Sequence, residues 1–175
     1  MLTPKVVAFL AHLEGLCLEA YRDTGGVWTW ALGVTNQSGH IVYPTYLNNP
    51  QTLEECLKVS IWLIRKKYLP VVEKAFSRQL SENELAAALS FHWNTGAIST
   101  TDWAKTESET FLRSHYLNGG LLKDRRNAEA NLFFHSKWPD NMLCPVYKVD
   151  RGTHRPIIGK PTLVDIVPKL TTLLI

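Results

Sequence analysis

The apolar positions at the start of the chain recur at the spacing of an α-helix. They are Val6, Val7, Phe9, Leu10 and Leu13. Thr3 can cap this helix with Pro4 at the first helical position, and Gly15 is well placed to end it. The pattern therefore predicts a helix over residues 4–14, with Glu14 in its last turn.

The pattern changes after Leu18, where glycines separate short runs rich in Val, Trp, Thr and Tyr. The runs VWTWALGVT (27–35) and HIVYP (40–44) are typical of short strands, and NQSG (36–39) is typical of a turn between them. This region predicts a small antiparallel β-ribbon.

Helical periodicity returns in the segment 52–76. Thr52 and Glu55 form the sequence pattern of a capping box at its start. An apolar stripe follows, and Pro70 should kink or break the helix because it lacks a backbone N–H. We expect one long helical segment here.

A second capping box, Ser81 with Glu84, opens a segment that is apolar around the whole helix, as in buried helices. This helix should end at Gly96. Two further helices are predicted over 107–117 and 121–134.

The region after Trp138 is interrupted by several prolines. We expect a Pro-rich tail over 139–175, whose last part, PTLVDIVPKLTTLLI (161–175), packs on the helical lobe or, as the alternative, contacts the membrane. The chain is expected to be a single domain, with a helix and β-ribbon in 1–50 and a helical lobe in 51–138. The fold class is α+β, mainly α.

The composition fits one globular domain: 175 residues, 45% hydrophobic and 20% charged. The formal net charge of +3 suits an anionic polymer partner such as a cell wall, a membrane surface or a nucleic acid. Cys17, Cys56 and Cys144 are widely spaced and odd in number, which gives no disulfide framework. Neither they nor the histidines have metal-ligand spacing, so we expect no metal and no cofactor.

The N-terminal apolar run is too short for a membrane span and lacks the small-residue cleavage site of a signal peptide. We therefore predict no signal peptide and no stable membrane insertion. The runs RKK (65–67) and KDRR (123–126) are too short for the basic stripe of a nucleic-acid binder.

Two carboxylates stand out in LEGLCLEAYRDTGGVWTWALGVT (13–35). Glu14 closes a helix, where the dipole and partial desolvation disfavour its anion, whereas Asp23 lies in a polar, glycine-containing turn. Contrasting carboxylates are the acid/base pair of glycoside hydrolysis. Spacing alone equally allows a solvated helix end and an ordinary turn residue.

The pattern E-G-L-x-L-x-A-Y-x-D-x-x-G-x-x-T resembles the phage-type lysozymes, glycoside hydrolase family 24. Two weaker segments also resemble that family: AALSFHWNTG (87–96) and GLLKDRRNAEANLF (120–133). The resemblance covers about 1–138. It implies a lysozyme-like fold, with a small β-hairpin lobe and a larger helical lobe joined by a long helix.

The resemblance also implies an inverting muramidase that cleaves the β-1,4 bond between N-acetylmuramic acid and N-acetylglucosamine. Glu14 would be the general acid, and Asp23 with Thr29 would hold the attacking water. Inversion requires carboxylates about 6.5–9.5 Å apart. Arg125 would position Glu14, although Arg126 is an alternative.

Substrate binding would involve Trp93, Asn94 and Thr35, since an aromatic face and an amide suit a sugar. Trp93 as core and Asn94 as a helix cap remain open alternatives. The ribbon departs from the family pattern at Ala31, in place of a glycine, and at Val34, in place of a histidine.

Two alternatives remain: a lytic transglycosylase, which needs no water-holding Asp, and a non-catalytic wall-binding module. We expect a monomeric endolysin whose partner is peptidoglycan glycan strands. It would remain in the bacterial host cytoplasm until a holin-type membrane lesion releases it to the wall.

Overall fold

A computed structural model describes residues 1–175 and contains eight α-helices and seven strands. The helices are α1 Pro4–Glu14, α2 Leu53–Leu63, α3 Leu69–Ala75, α4 Glu82–Thr95, α5 Asp102–Thr106, α6 Glu109–Ser114, α7 Lys123–His135 and α8 Val167–Leu173. The strands are β1 Leu16–Arg22, β2 Trp28–Ala31, β3 Val34–Thr35, β4 Cys144–Tyr147, β5 Val149–Asp150, β6 Arg155–Pro156 and β7 Thr162–Val164. The fold is α+β and mainly α, as the sequence predicts.

Helix α1 has the predicted bounds and the predicted caps. The hydroxyl of Thr3 accepts a hydrogen bond from the backbone N–H of Val6, and Pro4 is the first helical residue. Gly15 ends the helix with φ of 66° and donates its N–H to the carbonyl of Ala11. The middle of α1 is fully buried, so this helix belongs to the main hydrophobic core.

Helix α4 lies at the centre of that core, packed against α1 and α7. The capping box is present: Ser81 donates its N–H to Glu84 at 2.8 Å. Gly96 ends the helix in the left-handed conformation, with φ of 67°. The prediction of a buried helix is confirmed, because every residue from Leu85 to His92 is buried.

The long helical segment runs from α2 through a π-helical turn, Ile64–Tyr68, into α3. Thr52 caps its start by accepting a hydrogen bond from the N–H of Glu55. The π-turn ends two residues before Pro70. The α-helical hydrogen bonding is thus interrupted next to Pro70, the residue at which a kink or break was expected, and helix α3 begins there with the proline in its first turn.

The C-terminal region completes a five-stranded sheet of order β3-β2-β1-β4-β7. Strand β4 pairs in parallel with β1, with Leu16 opposite Val146 and Cys17 opposite Tyr147. A separate two-stranded ribbon, β5 with β6, lies between β4 and β7 in sequence. Helix α8 packs on α1, so residues 139–175 are integrated into the fold rather than attached to it as a tail.

The strand predicted at HIVYP (40–44) is wrong. Asn36 explains why: its side-chain oxygen accepts hydrogen bonds from the backbone N–H groups of Val42, at 2.7 Å, and Tyr43, at 3.1 Å. A side chain therefore satisfies the donors that a strand would have paired with its neighbour. NQS (36–38) forms a 3₁₀ turn.

The helix predicted over 107–117 is shorter and is preceded by one that the sequence reasoning missed. Glu107 adopts a left-handed conformation, φ of 48°, which separates α5 from α6. No helix of the structure has both the length and the apolar content needed to cross a membrane.

Candidate active site

Glu14 is the last residue of α1, directly before the chain turns into β1. Gly15 makes that turn possible in two ways. Its positive φ favours glycine, and a Cβ at this position would overlap the ring of Tyr147. The Glu14 side chain is 22% exposed, so it reaches solvent at the partly buried end of the helix.

Asp23 follows β1 and closes a tight turn. Its carboxylate accepts a hydrogen bond from the N–H of Val27 at 2.8 Å, and its carbonyl accepts one from the N–H of Gly26 at 2.9 Å. The Asp23 carbonyl also accepts a hydrogen bond from Nη1 of Arg155 at 3.1 Å. The turn thus fixes the Asp23 backbone and leaves one carboxylate oxygen without a hydrogen bond in the protein.

Glu14 and Asp23 line the same cavity, which has a volume of about 370 Å³. Tyr21 also lines it. Burial raises the pKa of the Tyr21 phenol, and the charges of Cys17, Glu14 and Asp23 raise it further. Tyr21 is therefore a neutral hydrogen-bond donor close to both carboxylates. The other five predicted site residues lie outside this lining: Thr29, Thr35, Trp93, Asn94 and Arg125.

Arg125, rather than Arg126, contacts Glu14. Its Nη1 lies 2.7 Å from Oε1 of Glu14, and its side chain is only 10% exposed. Its Nε lies 3.2 Å from Oε1 of Glu129, and its Nη2 donates to the carbonyl and hydroxyl of Ser90 at 3.0 and 3.1 Å. These contacts hold the guanidinium in one orientation beside Glu14.

Glu129 and Arg126 form the fully buried base of this network. Nε of Arg126 lies 3.1 Å from Oε2 of Glu129, and Ser90 donates its hydroxyl to Oε1 of Glu129 at 2.6 Å. Burial raises the pKa of the Glu129 carboxyl, and the charges of Arg126 and Arg125 oppose that rise. The network thus contains two arginines, Arg125 and Arg126, and two glutamates, Glu14 and Glu129, in equal number.

Asn94 is part of the same network. Its side-chain oxygen accepts a hydrogen bond from Nη2 of Arg126 at 2.7 Å. The amide N–H₂ of Asn94 is therefore oriented by a buried cation. The predicted helix-end position of Asn94 is present, and the Arg126 contact is a feature that sequence spacing did not indicate.

Thr29 and Thr35 lie opposite each other on the β2–β3 ribbon, and Thr29 is also opposite Tyr21 on β1. Thr29 is buried and donates its hydroxyl to the carbonyl of Val27 at 2.9 Å. Val27 also donates its N–H to the Asp23 carboxylate, so Thr29 and Asp23 both form a hydrogen bond with Val27.

Trp93 packs between the helical segment and the ribbon. Its ring lies 4.3 Å from that of Tyr68, centroid to centroid, and a Cβ on Gly33 would lie 3.4 Å from it. Burial raises the pKa of Tyr68, and the charge of Glu14 adds to the effect. Neither ring of this aromatic pair is part of the lining of the cavity that holds Glu14 and Asp23.

The sequence reasoning missed the contribution of the C-terminal region. Tyr147, Arg155 and Ile158 line the cavity together with the two carboxylates. No local motif marked them, because they reach the site through strand pairing between distant parts of the chain. No three His, Cys, Asp or Glu side chains converge as a metal site would require.

The chain resembles known lysozymes in sequence and in fold. It is 36% identical over 83 residues to the probable prophage lysozyme of Escherichia coli (strain K12). That match covers 47% of this chain and 45% of the relative, so the chain aligns with less than half of the relative's length.

Two solved structures share the fold. The endolysin from Escherichia coli O157:H7 phage FAHEc1 has a TM-score of 0.65 at 24% identity, covering 80% of this chain and 97% of that one. The muramidase domain of SpmX from Asticaccaulis excentricus has a TM-score of 0.52 at 24% identity, covering 74% and 94%. The family model described as phage lysozyme matches residues 11–129, the range that holds both carboxylates and Arg125. The chain belongs to the phage lysozyme family.

Proposed function

We propose that this protein is a peptidoglycan hydrolase, an N-acetylmuramidase that cleaves the β-1,4 bond between N-acetylmuramic acid and N-acetylglucosamine. The observation that carries the proposal is the shared cavity of about 370 Å³, which Glu14 and Asp23 line from different secondary-structure elements. Family membership and the prophage lysozyme relative support the same substrate class.

Glu14 acts as the general acid that protonates the glycosidic oxygen. Its contact with Arg125 and the Ser90–Glu129 network supports this role, since a proton donor must be held in a fixed direction. Asp23 activates the attacking water with the carboxylate oxygen that makes no hydrogen bond within the protein. Thr29, buried beside the same turn, positions that water, and attack on the opposite face inverts the anomeric carbon.

Trp93, Asn94 and Thr35 bind the glycan outside the reacting bond. The Asn94 amide, oriented by Arg126, donates to a sugar hydroxyl or acetamido oxygen. Trp93 offers an aromatic edge next to Tyr68, and Thr35 extends the polar face of the ribbon from Thr29.

We also propose an endolysin role for a monomer that accumulates in the host cytoplasm. Release to the wall then depends on a holin-type membrane lesion. The support is the family and its prophage relative. Expression in bacteria with and without a co-expressed holin tests this, because lysis should require both proteins.

The direct test digests purified peptidoglycan with wild type, Glu14→Ala and Glu19→Gln, and identifies products by mass. Glu19 is a matched control, since it lies on β1 and pairs with Arg151 at 3.4 Å. Wild type and the control should release reducing muramic-acid ends, and Glu14→Ala should release none. Anhydro-muramic ends would indicate a lytic transglycosylase. No cleavage by folded wild type would indicate a wall-binding module.

A further inference from the structure

The region beyond the family match forms one wall of the catalytic cavity. The match ends at residue 129, and the sheet strands β4 to β7 all follow it. Tyr147 on β4, Arg155 on β6 and Ile158 after β6 nonetheless line the cavity that contains Glu14 and Asp23. This wall is therefore specific to the chain's own C-terminal region rather than to the matched family region.

The C-terminal wall is attached to the backbone at both carboxylates. The Tyr147 ring packs on Gly15, the residue after Glu14, so closely that a Cβ would overlap it. Arg155 donates Nη1 to the carbonyl of Asp23 at 3.1 Å. The carbonyl of His154 accepts a hydrogen bond from the N–H of Arg22 at 2.7 Å. One end of this wall therefore contacts the backbone next to Glu14, and the other end contacts the backbone of Asp23.

Arg155 has unused hydrogen-bonding capacity in this wall. A guanidinium carries five N–H donors, and the contact with Asp23 is the one hydrogen bond that this one makes within the protein. The other arginine on the cavity, Arg22, lies over the ring of Trp28 at 4.8 Å. Arg155 is exposed on the cavity, so its remaining donors are available to an anion in the planar geometry that a carboxylate matches.

Apolar surface lies next to this cation. Ile158 is 68% exposed and lines the same cavity as Arg155, so an aliphatic side chain faces the cavity beside the guanidinium. Tyr147 adds a half-buried aromatic ring on the same wall. A ligand that suits the wall combines one carboxylate with neighbouring apolar or ring surface.

We propose that Arg155, with Tyr147 and Ile158, forms a subsite for a carboxylate on the muramic-acid substituent of the substrate. The proposal rests on the proposed muramidase function. The carboxylate can come from the lactyl group itself or from the attached stem peptide, and both have the chemistry that Arg155 recognises. The subsite makes the enzyme discriminate between wall polymers by the charge on their muramic-acid units.

The test compares wild type, Arg155→Gln and Arg155→Lys on three forms of one peptidoglycan preparation. The first carries its stem peptides, the second has lost them to an amidase and exposes lactyl carboxylates, and the third has its carboxylates blocked as amides. Arg155→Gln should raise the apparent KM about 10-fold or more where a carboxylate is present, since charged hydrogen bonds are strong. Its kcat should stay within about twofold. Arg155→Lys should lose less than Arg155→Gln.

The substrate with blocked carboxylates distinguishes loss of carboxylate recognition by Arg155 from a structural defect of the variant. Wild type should bind it as weakly as Arg155→Gln does, so the variant should lose nothing further there. A loss confined to the peptide-bearing form assigns the carboxylate to the peptide, and a loss that appears only after amidase treatment assigns it to the lactyl group. Losses on both forms mean that Arg155 accepts either carboxylate. Equal KM for wild type and variant on every form, or an equal loss on the blocked form, would overturn the proposal.

Arg151→Gln is the matched control, because Arg151 lies in the turn before β6 and pairs with Glu19 without lining the cavity. It should leave all three KM values unchanged. Co-sedimentation of a Glu14→Gln background with each peptidoglycan, with and without Arg155→Gln, measures the same preference without cleavage. This binding assay tests the subsite even if wild type cleaves nothing. Absence of cleavage would contradict the muramidase proposal but not the carboxylate subsite.

Discussion

The two carboxylates of the cavity are held by different parts of the molecule in different ways. Glu14 contacts an arginine whose other donors are fixed by Ser90 and the fully buried Glu129. Asp23 is fixed by backbone hydrogen bonds of its own turn and by Arg155. The helical core therefore orients Glu14, the proposed proton donor, whereas a local turn leaves the Asp23 carboxylate partly exposed. This division matches what a general acid and a water-activating base each require.

Removal of each carboxylate in turn should show the largest effect and the clearest asymmetry. Glu14→Ala and Asp23→Ala should each lower kcat by about 10²–10⁴-fold, the usual contribution of a general acid or base. Added formate should restore part of the activity of Asp23→Ala, because that site is open to solvent. It should not restore Glu14→Ala, whose place is enclosed by charged contacts. Rescue of both variants, or of Glu14→Ala alone, would contradict the contrast.

The buried Arg125–Arg126–Glu129 network should contribute more to the stability of the fold than the turn that holds Asp23. Glu129→Gln leaves two arginines without their shared carboxylate and should lower the free energy of unfolding by about 3–5 kcal/mol, as when one partner of a buried ion pair is removed. Urea denaturation measures this. Glu109→Gln is the control, since Glu109 pairs with Arg113 and His135 on the surface and should matter much less. Equal losses of unfolding free energy in the two variants would mean that the buried ion pairs stabilise the fold no more than the surface pairs do.

Arg125 tests whether the network acts on Glu14 itself. Arg125→Ala removes the cation that lies 2.7 Å from Glu14 and should lower kcat by about 10–100-fold, with Arg125→Lys intermediate. The loss should fall on kcat rather than on KM, because Arg125 contacts Glu14 and lies outside the lining of the cavity. An unchanged kcat would remove Arg125 from the account.

The smallest effect concerns a surface anchor away from the site. Hydrogen bonding to Arg78 lowers the pKa of Glu84 to about 2. A lowered pKa contributes stability above the ordinary pKa of glutamate, and that stability is lost as pH falls towards about 2. Because Arg78 is 42% exposed, Glu84→Gln should cost only about 1–2 kcal/mol at neutral pH.

Thermal or urea unfolding across pH checks this prediction. The difference between wild type and Glu84→Gln should shrink steadily as the medium is acidified below the ordinary pKa of glutamate. Glu82→Gln, in the same helical turn but without an Arg78 contact, should show no such convergence. A difference that is constant with pH would place the contribution of Glu84 in helix capping rather than in its charge.

The sequence was sufficient where the determining interactions are local. The bounds of α1 follow from Thr3, Pro4 and Gly15, and those of α4 from Ser81, Glu84 and Gly96. The α+β class and the family followed from the pattern around Glu14. These features depend on contacts within one or two helical turns, which a sequence pattern represents directly.

Features set by distant contacts were not predictable in this way. Strand β4 pairs with β1, about 130 residues earlier in the chain. The Asn94 contact with Arg126 and the Arg155 contact with Asp23 likewise join residues far apart in sequence. Arg125 was assigned to Glu14 by resemblance alone, because helix spacing does not bring α7 to α1. The wrong strand at HIVYP is a different case, since the interfering Asn36 side chain is only six residues from Val42 and a strand pattern does not represent side-chain hydrogen bonds to the backbone.

The central claim is that Glu14 and Asp23 act from opposite faces of the glycosidic bond with a water between them. Proton NMR of a defined peptidoglycan oligosaccharide during the first turnovers tests it most directly, before the anomers of the product equilibrate. The account predicts that the new reducing end appears first as the α-anomer, since single displacement inverts the β-linkage. Initial appearance of the β-anomer would show double displacement and would contradict the role assigned to Asp23.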